Sequence, residues 1–448
     1  MAEYNITAYG AQPGGKNCAS AVQRAIDAAA AAGGGRVVVP QGDYLCGSVR
    51  LKSHVTLHLE AGTVLRSSLD PAQIEPFRTA AGNDEVDGWA GGFFVGAQGA
   101  RDVAITGPGV IDGQGDKVFF DANEDSDFHE CPKACADFRP RMLLFEDVAD
   151  LTIRDVTLRN AAFWTLHLAG CRRVHIEGIY IDNDDRGGNN DGIDPDSCQD
   201  VTIRNCFIHT GDDAVVVKST APMARRYGPS ENILITGCVL HSRDSALKIG
   251  TETHGVIRNI ILSDCVVKDC SRAVGIWVRD GGTVENVQVH HITGAVRRYA
   301  DRYAVPGAPG WWGKGEPVFI SATRRPGKEN FPGVIRNISF DHLTLTAESG
   351  LFLGGEADCP IKNVRISDLD LTLAKQGTQP GGLFDEQPSA RGVYAHTIPA
   401  LYARSVQRLI LRHAVLHDGG GTAWNGQLTQ LEDCRCADIQ WENAAENT

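Results

Sequence analysis

Nine segments of this chain repeat one pattern, and the repeat limits the fold more than any other feature. They begin at Asp102 ("DVAITGPGVIDG"), Asp150 ("DLTIRDVTLRN"), Arg173 ("RVHIEGIYIDN"), Asp200 ("DVTIRNCFIHT"), Asn232 ("NILITGCVLHS"), Asn259 ("NIILSDCVVKD"), Asn286 ("NVQVHHITGAV"), Asn337 ("NISFDHLTLTA") and Asn363 ("NVRISDLDLTL"). Each opens on Asn, Asp or Arg, alternates Val, Ile or Leu with polar residues, turns, and alternates again. From Asp150 to Asn286 successive starts lie 23, 27, 32, 27 and 27 residues apart (173−150, 200−173, 232−200, 259−232, 286−259). A period of two with β-branched residues excludes helices. Units of this size, all strand and turn, predict an all-β parallel solenoid in which each coil stacks on the last. A propeller would need longer units with hairpin turns. The opening Asn or Asp is expected at a turn, bonding backbone groups.

One clear helix precedes the repeat. "CASAVQRAIDAAAAAGGGRVVVP" is amphipathic and Ala-rich, and its three glycines suit a helix end. It is expected to cap the open end of the solenoid and block edge-to-edge pairing. The organisation read from this is one β-helical domain over residues 1–448, with 1–60 as cap and first coils. Two insertions interrupt it, an acidic one at 118–140 and a Gly/Pro-rich one at 296–318 with two tryptophans.

The formal charge of −13 argues against a nucleic-acid partner. No apolar run approaches the ~20 residues that span a bilayer, and the start lacks the pattern of a signal peptide. Thirteen cysteines make no CxxC pair and sit mostly in alternating apolar segments, which reads as buried thiols and leans toward a reducing compartment. The location expected is cytoplasmic, or secreted after loss of a signal peptide.

The stretch "NNDGIDPDSCQDVTIRNCFIHTGDDAVVVKS" crowds like charges. Asp191 precedes one strand, and Asp212 and Asp213 lie 21 and 22 residues on, at the same phase of the next coil. Coils stack about 4.8 Å apart, so the three carboxylates should meet. Three readings fit. One is a cation site, although EF-hand spacing is absent and Lys218 would oppose a metal. One is solvated turn aspartates. The third is glycoside hydrolysis, where one carboxyl protonates the leaving oxygen and another activates water.

These residues also carry a resemblance. The chain resembles glycoside hydrolase family 28, the polygalacturonase and rhamnogalacturonan hydrolase-like enzymes, along nearly its whole length. The opening "AIDAAAAAGGGRVVVPQGDYLCGSVRLKSHVTLHLEAGTVL", "GVIDGQG" and "AAFWTLHLAGC" are similar to the family's. Asn189, Asp191, Gly192, Ile193 and Asp194 meet N-x-D-G-I-D, and Gly211, Asp212 and Asp213 meet G-D-D, followed by Lys218 and Ser219. The resemblance implies a right-handed parallel β-helix and an inverting glycosidase. It makes Asp212 the general acid and Asp191 and Asp213 the pair that holds the attacking water, with Asn189 in support. It implies an oligosaccharide or polysaccharide, pectin-related, as partner; no cofactor is expected, and no metal, because the chain shows no ligand spacing for calcium or zinc.

Two family motifs are altered. In "SRDSALKIGTETHG" the place of a histidine falls on Asp244, or on Ser245, and parity turns Asp244 and Lys248 outward. In "RAVGIWVRDGG" the arginine of R-I-K is Trp277 and its lysine is Arg279. Asn189, Lys218, Asp244, Lys248, Trp277 and Arg279 are therefore the expected substrate-binding residues, with Trp277 stacking on a sugar and Arg279 gripping a carboxylate or hydroxyls. The altered places point away from a standard polygalacturonase. A non-catalytic carbohydrate-binding solenoid and a polysaccharide lyase or epimerase are the alternatives.

Overall fold

In the computed structural model, which describes residues 2–76, 80, 92–121, 133–299 and 315–442, the alternating units pair in parallel, coil upon coil. Val201 lies beside Ile233, Ile233 beside Ile260, Ile260 beside Val287, Val287 beside Ile338 and Ile338 beside Val364. This aliphatic stack is buried throughout, so the period-two pattern of the sequence becomes the inner face of a parallel β-helix. The helix α1 (Ala19–Ala31) buries Val22, Ala25, Ile26 and Ala29 against the first coils. It thus closes the end where an exposed sheet edge would otherwise recruit other chains.

The residues that open the nine units all adopt left-handed backbone, with φ between 53° and 59°. Asn and Asp tolerate that conformation best among residues with a Cβ, which explains their recurrence. The sequence predicts bonds to backbone; instead, from Asp200 to Asn363, these side chains bond one another: Asn232 to Asp200, Asn259 to Asn232, Asn286 to Asn259, Asn337 to Asn286 and Asn363 to Asn337, at 2.9–3.3 Å.

A sheet of twelve strands positions the site. It takes one strand from each coil in chain order, from Val49–Arg50 to Thr429–Glu432, through Phe163–Ala169, Ile193–Asp196, Val215–Ser219, Ser245–Thr253 and Arg272–Val278. Toward its C-terminal end an antiparallel hairpin, Leu383–Asp385 with Val393–Ala395, folds back over the outer face. There Trp277, Phe319, Phe352, Phe384, Ile398 and Tyr402 form a second apolar cluster, separate from the interior stack.

The insertions are described only in part, since residues 122–132 and 300–314 lie outside the described set, with the two tryptophans of the second insertion. The described cysteines are free thiols and mostly buried. Among the described residues no helix is long and apolar enough to cross a membrane.

Candidate active site

Two coils bring the carboxylates together. The backbone turns just before Ile193–Asp196 and again just before Val215–Ser219, and Ile193 pairs with Val215. Glycines permit the close approach. A Cβ on Gly192 would lie 2.4 Å from the Ala214 carbonyl oxygen, and one on Gly211 would lie 2.4 Å from that of Gly187. Asn190 fixes the second turn, its Oδ1 accepting from the N–H groups of Gly211 (2.8 Å) and Asp212 (3.1 Å). As a result Asp191, Asp212 and Asp213 each place an oxygen within 4.8 Å of the other two. They are 3%, 2% and 0% exposed.

The three differ in their partners. Asp212 is held by backbone: Asn189 N–H donates to Oδ2 at 2.9 Å and Asp213 N–H to Oδ1 at 3.0 Å. Asp213 accepts from Ser245 N–H at 3.2 Å and from Lys248 Nζ at 2.8 Å. Asp191 has a buried Oδ1 with no hydrogen-bond partner, and its Oδ2 lies 4.0 Å from Lys218 Nζ. Lys218 also faces Asp194 at 3.8 Å and Glu252 at 3.3 Å, with its ammonium 4.7 Å from the Trp164 ring centre. Lys248 reaches Asp244 at 3.4 Å.

Asn189 thus contributes through its N–H, and its side-chain oxygen accepts from Arg139 at 3.3 Å. Asp244 joins the cluster as a buried carboxylate 3.8 Å from Arg272.

The electrostatics follow from count and burial. Five aspartates (191, 194, 212, 213 and 244) face two lysines (218 and 248). Burial, then Asp212 and Asp194, push Asp191 well above the usual carboxylate range. Burial, then Asp244, do the same to Asp213 against the pull of Lys248. Asp194 is raised mainly by burial, and Asp244 likewise. Burial would lower both lysines, but the carboxylates outweigh it and hold both above the ordinary lysine value. Glu252 is pulled down to about 2, because Lys218 and Arg325 outweigh its burial. The cluster therefore keeps protons that isolated aspartates would lose, and its titration belongs to the set rather than to one residue.

Trp277 and Arg279 correct the expectation drawn from the sequence. Trp277 is 2% exposed, its ring 4.9 Å from Phe319 and its Nε1 donating to the Gln387 carbonyl at 3.1 Å. Arg279 is fully buried. Its N–H groups go to the carbonyls of Pro388, Val278, Ser321 and Glu386 and to Ser321 Oγ, at 2.8–3.2 Å. Five such bonds match the five donors of a guanidinium, so none remains for a sugar. The segment that carries Glu386, Gln387 and Pro388 covers both side chains.

Several site residues were not singled out in the sequence. Asp194 lay inside the N-x-D-G-I-D motif, and strand alternation from the inward Ile193 already turned it outward. Arg139 donates to the Gly188 carbonyl at 2.7 Å, and Arg141 lies 5.2 Å from the Phe163 ring and 4.9 Å from Trp164. The signal for these two was the "RPR" at the start of a strand. His167, beside Asp194 in register, stands edge-on to Trp164 at 4.8 Å.

The sequence profile of Glycosyl hydrolases family 28 matches residues 31–297. A probable polygalacturonase of Vitis vinifera is 36% identical over 234 residues, 50% of this chain and 46% of that protein. An exo-poly-alpha-D-galacturonosidase of Dickeya chrysanthemi is 26% identical over 295 residues, 56% of this chain and 47% of its own. This chain thus spans about half the length of these relatives. The crystal structure of a hyperthermoactive exopolygalacturonase from Thermotoga maritima superposes with a TM-score of 0.67 at 26% identity, covering 84% of this chain and 88% of that one.

Proposed function

Since the chain belongs to glycosyl hydrolase family 28, we propose that it hydrolyses glycosidic bonds of a pectin-related oligosaccharide or polysaccharide at the Asp191–Asp212–Asp213 cluster. The carrying observation is three buried carboxylates on adjacent coils, each with an oxygen within 4.8 Å of the other two and one of them with an unpartnered oxygen. In this reading Asp212 gives its proton to the leaving glycosidic oxygen as the bond to the anomeric carbon breaks. A water held by Asp191 and Asp213 attacks that carbon and passes its proton to one of them. Exchange with solvent then returns a proton to Asp212. General acid and base catalysis of this kind is worth about 10²–10⁴-fold each.

The family resemblance implies inversion. The spacing alone does not favour it: oxygens within 4.8 Å are closer than the 6.5–9.5 Å that two-carboxylate inversion uses. The anomer first released, read by proton NMR, decides the outcome. A lyase reading needs a neutral basic side chain beside the substrate, and both nearby lysines are held protonated by their carboxylates. A purely binding solenoid would gain nothing from buried carboxylates set against one another.

The substrate reading is narrower than the relatives' names. We propose a poor polygalacturonase that prefers a residue neutral at the cleaved bond. Arg279 has no donor left, Trp277 replaces the other cation, and Lys218 and Lys248 are already matched to carboxylates. A galacturonate carboxylate left poorly paired in such a site costs several kcal/mol. The hairpin segment covers Trp277 and Phe319 on the outer face of the sheet that carries the cluster, which supports action at chain ends. Product analysis on a panel of pectic oligosaccharides tests this. Rapid release of galacturonic acid from unsubstituted polygalacturonate overturns the specificity, and no hydrolysis of any glycan in the panel overturns the activity.

A further inference from the structure

Outside the carboxylate cluster, two half-buried histidines and an aspartate meet beside the loop that leads to Asn189 and Asp191. His209 in strand Phe207–Thr210 lies directly beside His241 in strand Val239–Ser242, with the rings edge-on at 4.5 Å. Asp185 comes over them from the loop that runs on to Asn189 and Asp191. Each of the three places one ligand atom within 4.8 Å of the other two. We propose that His209, His241 and Asp185 bind one divalent transition ion of the zinc class.

The surrounding bonds orient these donors. The Nδ1 of His241 is 2.7 Å from the Lys268 carbonyl oxygen, which can only accept, so Nδ1 carries the hydrogen and Nε2 the lone pair. The Nδ1 of His209 is 3.0 Å from Asp182 Oδ1, which leaves its Nε2 in the same state. Metal-ligating histidines are oriented in this manner by an oxygen on the far ring nitrogen. Both contacts from Arg243 fall on Asp185 Oδ2, which leaves Oδ1 for an ion. Arg243 faces the site as a cation, and Asp182, bonded to His209, faces it as an anion. Two imidazoles and a carboxylate select zinc, cobalt or nickel over calcium or magnesium.

The ion would tie the 183–190 loop to the coil that carries Asp212. That loop supplies the Asn189 N–H on Asp212 and the Asn190 side chain that fixes Gly211 and Asp212. Its effect is therefore on stability and not on a chemical step.

The test is calorimetric titration of zinc chloride into the full, untagged, chelator-stripped chain, with cobalt(II) absorption as a readout of geometry. One ion per chain is expected, with visible cobalt bands. The unfolding midpoint should rise by about 3 °C when zinc exceeds Kd a hundredfold. The His209→Gln/His241→Gln variant should lose at least about tenfold in affinity, and His209→Gln alone should do the same if the double variant folds poorly. Absence of one-to-one binding overturns the proposal. So does binding that survives these variants and disappears with His342→Gln, which would move the ion to the exposed Asp341–His342–Asp368 group.

Discussion

Lys248→Met removes the cation of two buried carboxylates while keeping length and packing. Lys248 Nζ stands 2.8 Å from Asp213 and 3.4 Å from Asp244, and all three side chains are enclosed. At an effective dielectric of 20, a charge pair at 2.8 Å is worth about 332/(20 × 2.8), or roughly 6 kcal/mol, before desolvation. The loss cannot reach that figure, because Asp213 can take up a proton instead. From an unfolded pKa near 3.9, protonation at pH 7 costs about 1.36 × (7 − 3.9), roughly 4 kcal/mol. The expected destabilisation at pH 7 is therefore at most about 4 kcal/mol, and less by whatever part of that cost the parent already bears in its raised Asp213. Its pH dependence has a definite sign. Burial and Asp244 already raise Asp213 above its unfolded value, and loss of Lys248 raises it further. The folded state then binds more protons than the unfolded one, so stability falls as pH rises above about 4, by up to about 1.4 kcal/mol per unit for each protonated carboxylate. Unfolding midpoints of variant and parent, followed by circular dichroism from pH 4 to 7, measure this. A loss that is the same at pH 4 and pH 7 refutes the assignment of Lys248 as the counter-ion of Asp213.

Asp212→Asn keeps the outline of the side chain but can accept only one of the two N–H bonds that Asn189 and Asp213 now give it, and it has no acidic proton to give. It should lower kcat on a hydrolysed oligosaccharide by about 10²–10⁴-fold in a chain that still folds, with a somewhat lower unfolding midpoint; a kcat within a few-fold of the parent shows that another group is the acid. Asp244→Asn removes a charge that raises Asp213, so the acidic limb of the kcat/KM profile should move to lower pH, and a shift to higher pH contradicts the proposed pairing. Trp277→Ala empties the aromatic cluster under the hairpin and should cost about 3–5 kcal/mol of stability; a raised KM with an unchanged unfolding midpoint would instead restore Trp277 as a sugar platform.

The fold was legible because its information is local. Each strand announces its inner face by a period of two, and each coil repeats the announcement, so Val201, Ile233 and Ile260 could be stacked by counting. The carboxylate cluster was legible for the same reason, since Asp191, Asp212 and Asp213 sit at one phase of neighbouring coils. The outer face is different. Parity says that a side chain leaves the interior, but it does not say what lies over it. Asp194, Asp244 and Lys248 leave the interior into the buried charge cluster around Asp213 and Lys218. Trp277 and Arg279 leave it into a covering segment whose contacting carbonyls, Glu386 to Pro388, lie more than 100 positions further along the chain. That segment belongs to no repeat, so nothing in the local pattern fixes where it folds back. The same limit explains His209 and His241: "FIHT" and "VLHS" put them in register by counting, but Asp185 reaches them from a turn whose path only the three-dimensional structure supplies. In a solenoid, then, contacts between neighbouring coils can be derived from spacing, whereas contacts made by non-repeating segments decide which outward residues remain available to a substrate.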